Sequence, residues 1–184
     1  AHQLEKEEPL SMADFTRFRG QAARANYLGP DRPDLIYSAK EVCREMSYPT
    51  DLHQAALKRM ARYLRTRPRL VLKFDRQQAD HIDTYADTDG AGCPRSRRST
   101  SGGCIMVGSH LLKCWSSTQA GVATSSGEAE FYGAVNGASA GLGMRALYKD
   151  IGYDLPLRLW TDSSAAVGIC SRQGLGKLRH LECT

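Results

Sequence analysis

The sequence predicts an α/β protein, a mixed sheet with flanking helices preceded by a small helical segment. Three observations carry this expectation. Apolar residues recur at helical spacing up to about residue 66 and at extended spacing after it. Three strand candidates then follow in a row, the last two separated by the tight-turn pair Gly108-Ser109. A helix, a strand and a helix come next, and a strand-helix-strand crossover sets its last strand parallel to a neighbour. The division falls at 68/69, with residues 1–68 helical and residues 69–184 forming the sheet domain.

Each element has a local reason. Residues 1–13 form a polar lead-in. From Asp14, read as an N-cap, to Tyr27, the positions Phe15, Phe18, Ala22 and Ala25 share one helical face, and Gly29-Pro30 ends it. Pro33 suits the first position of a second helix, which aligns Leu35, Ile36, Ala39, Val42, Cys43 and Met46. Tyr48-Pro49-Thr50-Asp51 ends that helix and caps a third, Leu52 to Arg65. Lys58, Arg59, Arg62 and Arg65 form its polar face, the usual solvated side of a surface helix. Leu70 to Phe74 reads as a short strand. His81–Thr88, Gly102–Gly108 and Leu111–Ser116 read as the meander. Ser125 to Ile151 reads as a long helix whose many Ala and Gly residues imply close packing. Leu157–Thr161 reads as a buried strand, with Trp160, like Trp115, in the core. Ser163 to Arg172 reads as a last helix, ended by Gly174.

Composition narrows the function classes. The 184 residues are 41% hydrophobic and 24% charged, which suits a globular protein with a core. No apolar run reaches the roughly 18–20 residues that cross a bilayer, and the polar start is neither a signal nor a transit peptide. The expected setting is therefore intracellular, cytoplasmic or nuclear. A net charge of +5 permits a nucleic-acid partner without requiring one. The six cysteines form no C-x-x-C pair, and the histidines do not stand at zinc-finger spacing from them. They read as reduced thiols.

Three acids stand out by position. Asp87 lies near the end of the first meander strand, Asp162 just after the last strand, and Glu130 in the first turns of the long helix. Carboxylates at the carboxyl ends of neighbouring strands face the crevice where α/β sheets bind ligands. Grouped acids repel unless a cation neutralises them, and an all-oxygen donor set suits Mg²⁺. Taken singly, each acid is more readily a helix cap or a solvated charge, and it is the combination that points to a site. Ser125-Ser126-Gly127-Glu128 fits a capping box, which gives Glu128 a local role. Glu130 lies about 200° further round the helix and is left for the metal.

The same residues carry a family resemblance. Tyr85-Ala86-Asp87-Thr88-Asp89-Gly90-Ala91-Gly92 is similar to the first acidic motif of copia-type ribonuclease H (RNase H) domains, and Arg97-Arg98-Ser99-Thr100-Ser101-Gly102-Gly103 to their R-R-S-T-S-G-Y run. Trp115-Ser116-Ser117-Thr118-Gln119 resembles W-S-S-K-K-Q. Val122 to Phe131 resembles V-A-L-S-S-T-E-A-E-Y, and Trp160 to Ala166 resembles the C-D-N-Q-S-A segment. Upstream, Tyr27 to Asp34 and His53 to Leu64 resemble the segment joining reverse transcriptase to RNase H in copia-type Pol polyproteins. The resemblance runs from about residue 15 to the end.

That resemblance implies an RNase H-like mixed sheet and Mg²⁺-dependent cleavage of RNA in RNA–DNA hybrids, with Mn²⁺ as an alternative ion. It implies a metal-binding catalytic set of Asp87, Glu130, Asp162 and Glu182, the last in His180-Leu181-Glu182 where the family has H-I-D. Paired ions about 4 Å apart would activate water and stabilise the leaving oxygen. Arg95, Arg97, Arg98, Ser99 and Thr100 are the candidate nucleic-acid contacts, a phosphate-binding turn or a solvated one. The reverse-transcriptase domain of the same polyprotein is an expected partner. Departures from the pattern are Gly90 for Trp, Glu182 for Asp, and an end at Thr184, before the family's last helix. They favour an alternative, a non-catalytic retroelement-derived subunit of a larger protein assembly.

Overall fold

The computed structural model describes residues 7–93 and 95–172. The chain divides into two compact units, Ala1–Leu72 and Lys73–Thr184.

The first unit is helical: α1 (Met12–Leu28), two short 3-10 turns (Gly29–Asp31 and Pro33–Leu35), α2 (Ile36–Arg44) and α3 (Asp51–Thr66). Helix α1 starts one turn earlier than Asp14 suggests. Ser11 is the cap: its Oγ accepts the Asp14 N–H at 3.2 Å and donates to the Asp14 carboxylate at 2.9 Å, so Asp14 sits at N3. Pro33 opens a 3-10 turn rather than α2 itself. Thr50 caps α3 in a box closed by His53, whose Nδ1 accepts the Thr50 N–H at 3.0 Å. Phe18, Ala22 and Ala25 of α1 pack with Leu35, Ala39, Val42, Leu57 and Met60 as one buried cluster. Arg32 closes the unit's polar end. It grips Asp34 with two hydrogen bonds, at 3.0 and 2.8 Å, and donates to the carbonyls of Arg67 and Pro68 beyond the end of α3.

The second unit contains β1 (Ile82–Asp89), β2 (Thr100–Val107), β3 (His110–Thr118), α4 (Ser126–Asp150), β4 (Leu157–Trp160) and α5 (Ser164–Cys170). The four strands form one mixed sheet in the order β3-β2-β1-β4. The hairpin pairs are antiparallel, and β4 runs parallel to β1 with Tyr85 opposite Trp160. Gly108, with φ +57°, turns the β2–β3 hairpin, a backbone state glycine adopts without steric cost.

Helix α4 lies on β1 through a glycine stripe. A Cβ added to Gly133, Gly137 or Gly141 would meet Thr88 Oγ1 at 2.1 Å, Ala86 Cβ at 2.8 Å or Thr84 Oγ1 at 2.6 Å. One residue type, repeated every fourth position, thus lets the helix backbone approach alternate residues of one strand. Ile82, Ile105 and Val107 form the buried centre of this unit, with Leu112, Trp115, Ala140 and Met144 packed around them.

Two further expectations are corrected. Leu70 to Phe74 is irregular backbone, with Val71 83% exposed. An apolar run becomes a strand only with a ladder partner and a covered face, and this run has neither among the described residues. Nearby, Gln77 donates its side-chain amide to the Val107 carbonyl and accepts the Ser109 N–H at 2.9 Å. The second correction is β4, which among the described residues is an edge strand rather than a buried one. Trp160 is 46% exposed, stacked on Tyr85 at 6.2 Å, whereas Trp115 packs against the core.

Candidate metal centre

Asp87, Glu130 and Asp162 converge. Each offers a carboxylate oxygen, and these oxygens all lie within 4.8 Å of one another. The sheet explains two of the three. Tyr85 opposes Trp160 in the parallel ladder, and the same offset of 75 carried two residues further sets Asp162 beside Asp87. The glycine stripe explains the third. Gly133 lies over Thr88, at the carboxyl end of β1, so Glu130, one turn earlier in α4, stands at that end of the sheet.

The start of α4 is anchored from several sides. Ser125 Oγ accepts the Glu128 N–H at 3.2 Å. The buried Glu128 carboxylate accepts from Thr124, at 2.7 Å from its N–H and 2.6 Å from its hydroxyl. Glu128 therefore serves the helix start, reaching one residue further back than a standard capping box does. Gln119, also buried, donates its side-chain amide to the Ala129 carbonyl and to Ser101 Oγ, both at 2.8 Å, which ties α4 to β2.

Asp87 and Asp162 are exposed and Glu130 is partly buried. Burial raises the Glu130 pKa above the ordinary value, and the Asp87 and Asp162 charges raise it further. Glu130 thus resists ionisation unless a counter-charge is present beside it. An all-oxygen donor set with exposed sides for water is chemically matched to a hard divalent cation.

Asp89 is not in the cluster. Its carboxylate accepts the Thr100 N–H and closes the loop from β1 to β2. In that loop Arg95, Arg97 and Arg98 are exposed, and Arg97 has φ +56° with its N–H bonded to the Cys93 carbonyl at 2.8 Å. Ser99 and Thr100, which follow them in the sequence, are buried. Ser99 Oγ accepts the Ala91 N–H at 3.0 Å, so its hydroxyl secures the loop and the arginines form the exposed part of the turn. Glu182 and His180 lie outside the described residues.

A second constellation went unread in the sequence. Asp83 is buried on β1 and accepts from Arg158 at 2.8 and 3.0 Å, from the Trp160 indole N–H at 2.6 Å, and pairs with His81 at 3.0 Å. Hydrogen bonds from Arg158, then from Trp160, outweigh burial and bring the Asp83 pKa down to about 2. An acid inside the run Ile82-Asp83-Thr84 was the available signal, but its hydrogen-bond donors Arg158 and Trp160 lie 75 and 77 residues further along the chain, and only the β1–β4 register brings them to it.

The described cysteines, Cys43, Cys93, Cys104, Cys114 and Cys170, are all free thiols. Among the described residues no helix is long and apolar enough to cross a membrane.

Comparison with known proteins agrees with the sequence motifs. The chain is 32% identical over 173 residues to the Retrovirus-related Pol polyprotein from transposon RE2 of Arabidopsis thaliana, and 31% identical over 173 residues to that from transposon RE1 of the same plant. Each match covers 92% of this chain and 12% of the polyprotein, so the chain spans about an eighth of the length of these relatives. It is also 37% identical over 100 residues to the Secreted RxLR effector protein 161 of Plasmopara viticola, covering 54% of this chain and 70% of that protein. No family model and no solved structure matches. Matched along nearly its whole length, the chain belongs to the retrovirus-related Pol polyproteins of copia-type transposons.

Proposed function

We propose that residues 69–184 act as the RNase H-type endonuclease domain of a retrotransposon polyprotein, hydrolysing RNA in RNA–DNA hybrids with Mg²⁺, or with Mn²⁺ as the alternative ion. The observation that carries this reading is the meeting of Asp87, Glu130 and Asp162 within 4.8 Å from three separate elements. The α/β sheet with antiparallel β1–β3 and parallel β4 supports an RNase H-like classification.

Asp87, Glu130 and Asp162 would hold the ions, with Glu182 proposed as the fourth carboxylate. When bound, such ions activate water and stabilise the leaving oxygen of a phosphodiester. The chain's own residues supply the rest. The β1–β4 ladder sets the spacing of Asp87 and Asp162, and the Gln119 and Glu128 bonds fix the start of α4 and so the placement of Glu130. Glu130 keeps a proton to higher pH than an ordinary glutamate, so ion loading is coupled to release of that proton. Arg95, Arg97 and Arg98 are proposed to contact the phosphate backbone, a charge-based and sequence-independent grip. Residues 1–68 are proposed as the connection to the reverse-transcriptase domain of the same polyprotein, an intracellular setting, cytoplasmic or nuclear.

The test is cleavage of an end-labelled RNA–DNA hybrid with Mg²⁺, comparing the chain with Asp87→Asn. The expected result is cleavage that Asp87→Asn lowers about 100-fold or more, since loss of an ion ligand removes several kcal/mol of transition-state stabilisation. Absence of cleavage by the folded chain supports the second reading, a non-catalytic retroelement-derived subunit of a protein assembly. The likeness to most of an effector protein favours that reading, because a similar segment there makes up 70% of a protein not named as a polyprotein.

A further inference from the structure

Cys104 of β2 and Cys114 of β3 stand directly opposite each other in the antiparallel ladder. Such a ladder alternates between hydrogen-bonded pairs and non-hydrogen-bonded pairs. Gln119 donates its backbone N–H to the Ser99 carbonyl at 2.8 Å, which marks 99–119 as a hydrogen-bonded pair. The register is regular from Thr100↔Thr118 to Cys104↔Cys114 and shifts only beyond it, between Ile105 and Met106. Counted in twos, 101–117 and 103–115 are of the hydrogen-bonded kind, and 104–114 is not. In a non-hydrogen-bonded pair the Cα atoms are about 4.5 Å apart and the side chains lie close on one face. Disulfides bridge Cα separations of about 4.4–6.8 Å. Both thiols are free and half-buried.

We propose that Cys104 and Cys114 are a cross-strand redox dithiol, converted to an intrachain disulfide by a small-molecule disulfide of the glutathione type. One thiolate attacks a sulfur of oxidised glutathione, breaking its S–S bond, forming a mixed disulfide and releasing one glutathione thiol. The second cysteine then attacks the protein sulfur of the mixed disulfide and releases the second glutathione. The two cysteines lose two electrons and two protons, and glutathione disulfide gains both as two thiols. Burial raises both cysteine pKa values, and Cys104 raises that of Cys114 further, as expected of two groups that would repel once ionised. Exchange therefore accelerates as pH rises. The bond would close the β2–β3 hairpin across its turn. Strand β2 is also the neighbour of the Asp87 strand, with Asp87 opposite Gly102, so oxidation would brace the sheet beside the carboxylate cluster without engaging its ligands.

The sequence offers a direct assay. Trypsin cuts after Arg98, Lys113 and Arg145, which places Cys104 in one peptide, Ser99–Lys113, and Cys114 in the next, Cys114–Arg145. The full chain is equilibrated in glutathione redox buffers, acid-quenched, alkylated, digested and analysed by mass spectrometry, once folded and once unfolded in urea. The expected result is a disulfide-linked pair of these two peptides that separates on reduction. In the folded chain it forms at a squared-thiol-to-disulfide ratio at least about tenfold more reducing than in the unfolded chain. An equal ratio in both states overturns the proposal, as does linkage of either cysteine to a different cysteine in the folded chain. The comparison uses the unsubstituted chain, so it does not depend on a variant folding. In Cys104→Ser the pair must vanish.

Discussion

Asp83 and Glu130 are two acids of one unit whose environments pull their titrations apart. Asp83 is stabilised as the anion by Arg158 and the Trp160 indole, and its pKa falls to about 2. A depressed carboxylate contributes stability above its unfolded pKa, near 4, and that contribution drains away as pH falls towards 2. The gap corresponds to about 2 kcal/mol. Asp83→Asn should therefore lower unfolding stability at pH 7 by about that amount and flatten the loss of stability between pH 4 and 2, as read from urea titrations. Glu130 behaves in the opposite sense. Its raised pKa means a contribution present below the ordinary glutamate pKa and lost as pH rises through the raised one, because the ionised form is buried beside Asp87 and Asp162. Glu130→Gln should raise the thermal midpoint at pH 7 in the presence of a chelator and abolish any stabilisation by Mg²⁺. A variant destabilised in chelator would show that Glu130 serves the fold rather than an ion. These roles differ in how far sequence exposes them. Glu130 sits in a recognisable helix start, whereas the partners of Asp83 become visible only once β1 and β4 are side by side.

At the scale of elements, the signals that were legible are those contained within a few residues. Ser125 and Glu128 mark the start of α4, Gly108 marks the hairpin, and the strand-helix-strand order marks the parallel pairing. Leu70 to Phe74 misled because a β-prone run says nothing about whether a partner strand lies within reach. The Asp14 cap misled because Ser11, three residues before it, can make the same bond, and the structure places Asp14 at N3 instead. The abundance of glycine in α4 implied close packing, but not which glycines face the sheet. Gly137 does: an added Cβ would lie 2.8 Å from the Ala86 methyl, a fixed strand atom. Gly143 does not, having nothing within 4 Å. A Gly-to-Ala change in a helix gains about 1 kcal/mol in propensity, while overpacking a close contact costs about 1–3 kcal/mol. Gly143→Ala should thus stabilise the chain by up to about 1 kcal/mol, and Gly137→Ala should destabilise it by up to about 2 kcal/mol. Equal effects in denaturant titrations would refute the close approach of α4 to β1.

On the scale of the whole molecule, the two units have separate cores. The first is built around Phe18, Ala22, Leu35, Val42 and Met60, the second around Ile82, Ile105 and Val107. The chain's two tryptophans, Trp115 and Trp160, both belong to the second unit, so indole fluorescence reports that unit alone. The named elements of the first unit are all helical, and they contribute to far-ultraviolet circular dichroism. Phe18 is 1% exposed, and truncating a buried phenylalanine costs about 3–5 kcal/mol. Phe18→Ala should therefore lower the denaturant midpoint seen by circular dichroism and leave the fluorescence midpoint unchanged. Mg²⁺ should do the converse. An ion that binds only the folded carboxylate cluster stabilises by about 2.7 kcal/mol at a hundred times its dissociation constant. That gain should raise the fluorescence midpoint, vanish in Asp87→Asn, and leave the dichroism transition of the first unit where it was. If Phe18→Ala shifts both signals equally, the units unfold as one cooperative body and the ion's effect must appear in both. If Mg²⁺ shifts neither, the carboxylates meet without recruiting an ion, and the RNase H reading loses the chemistry on which it depends.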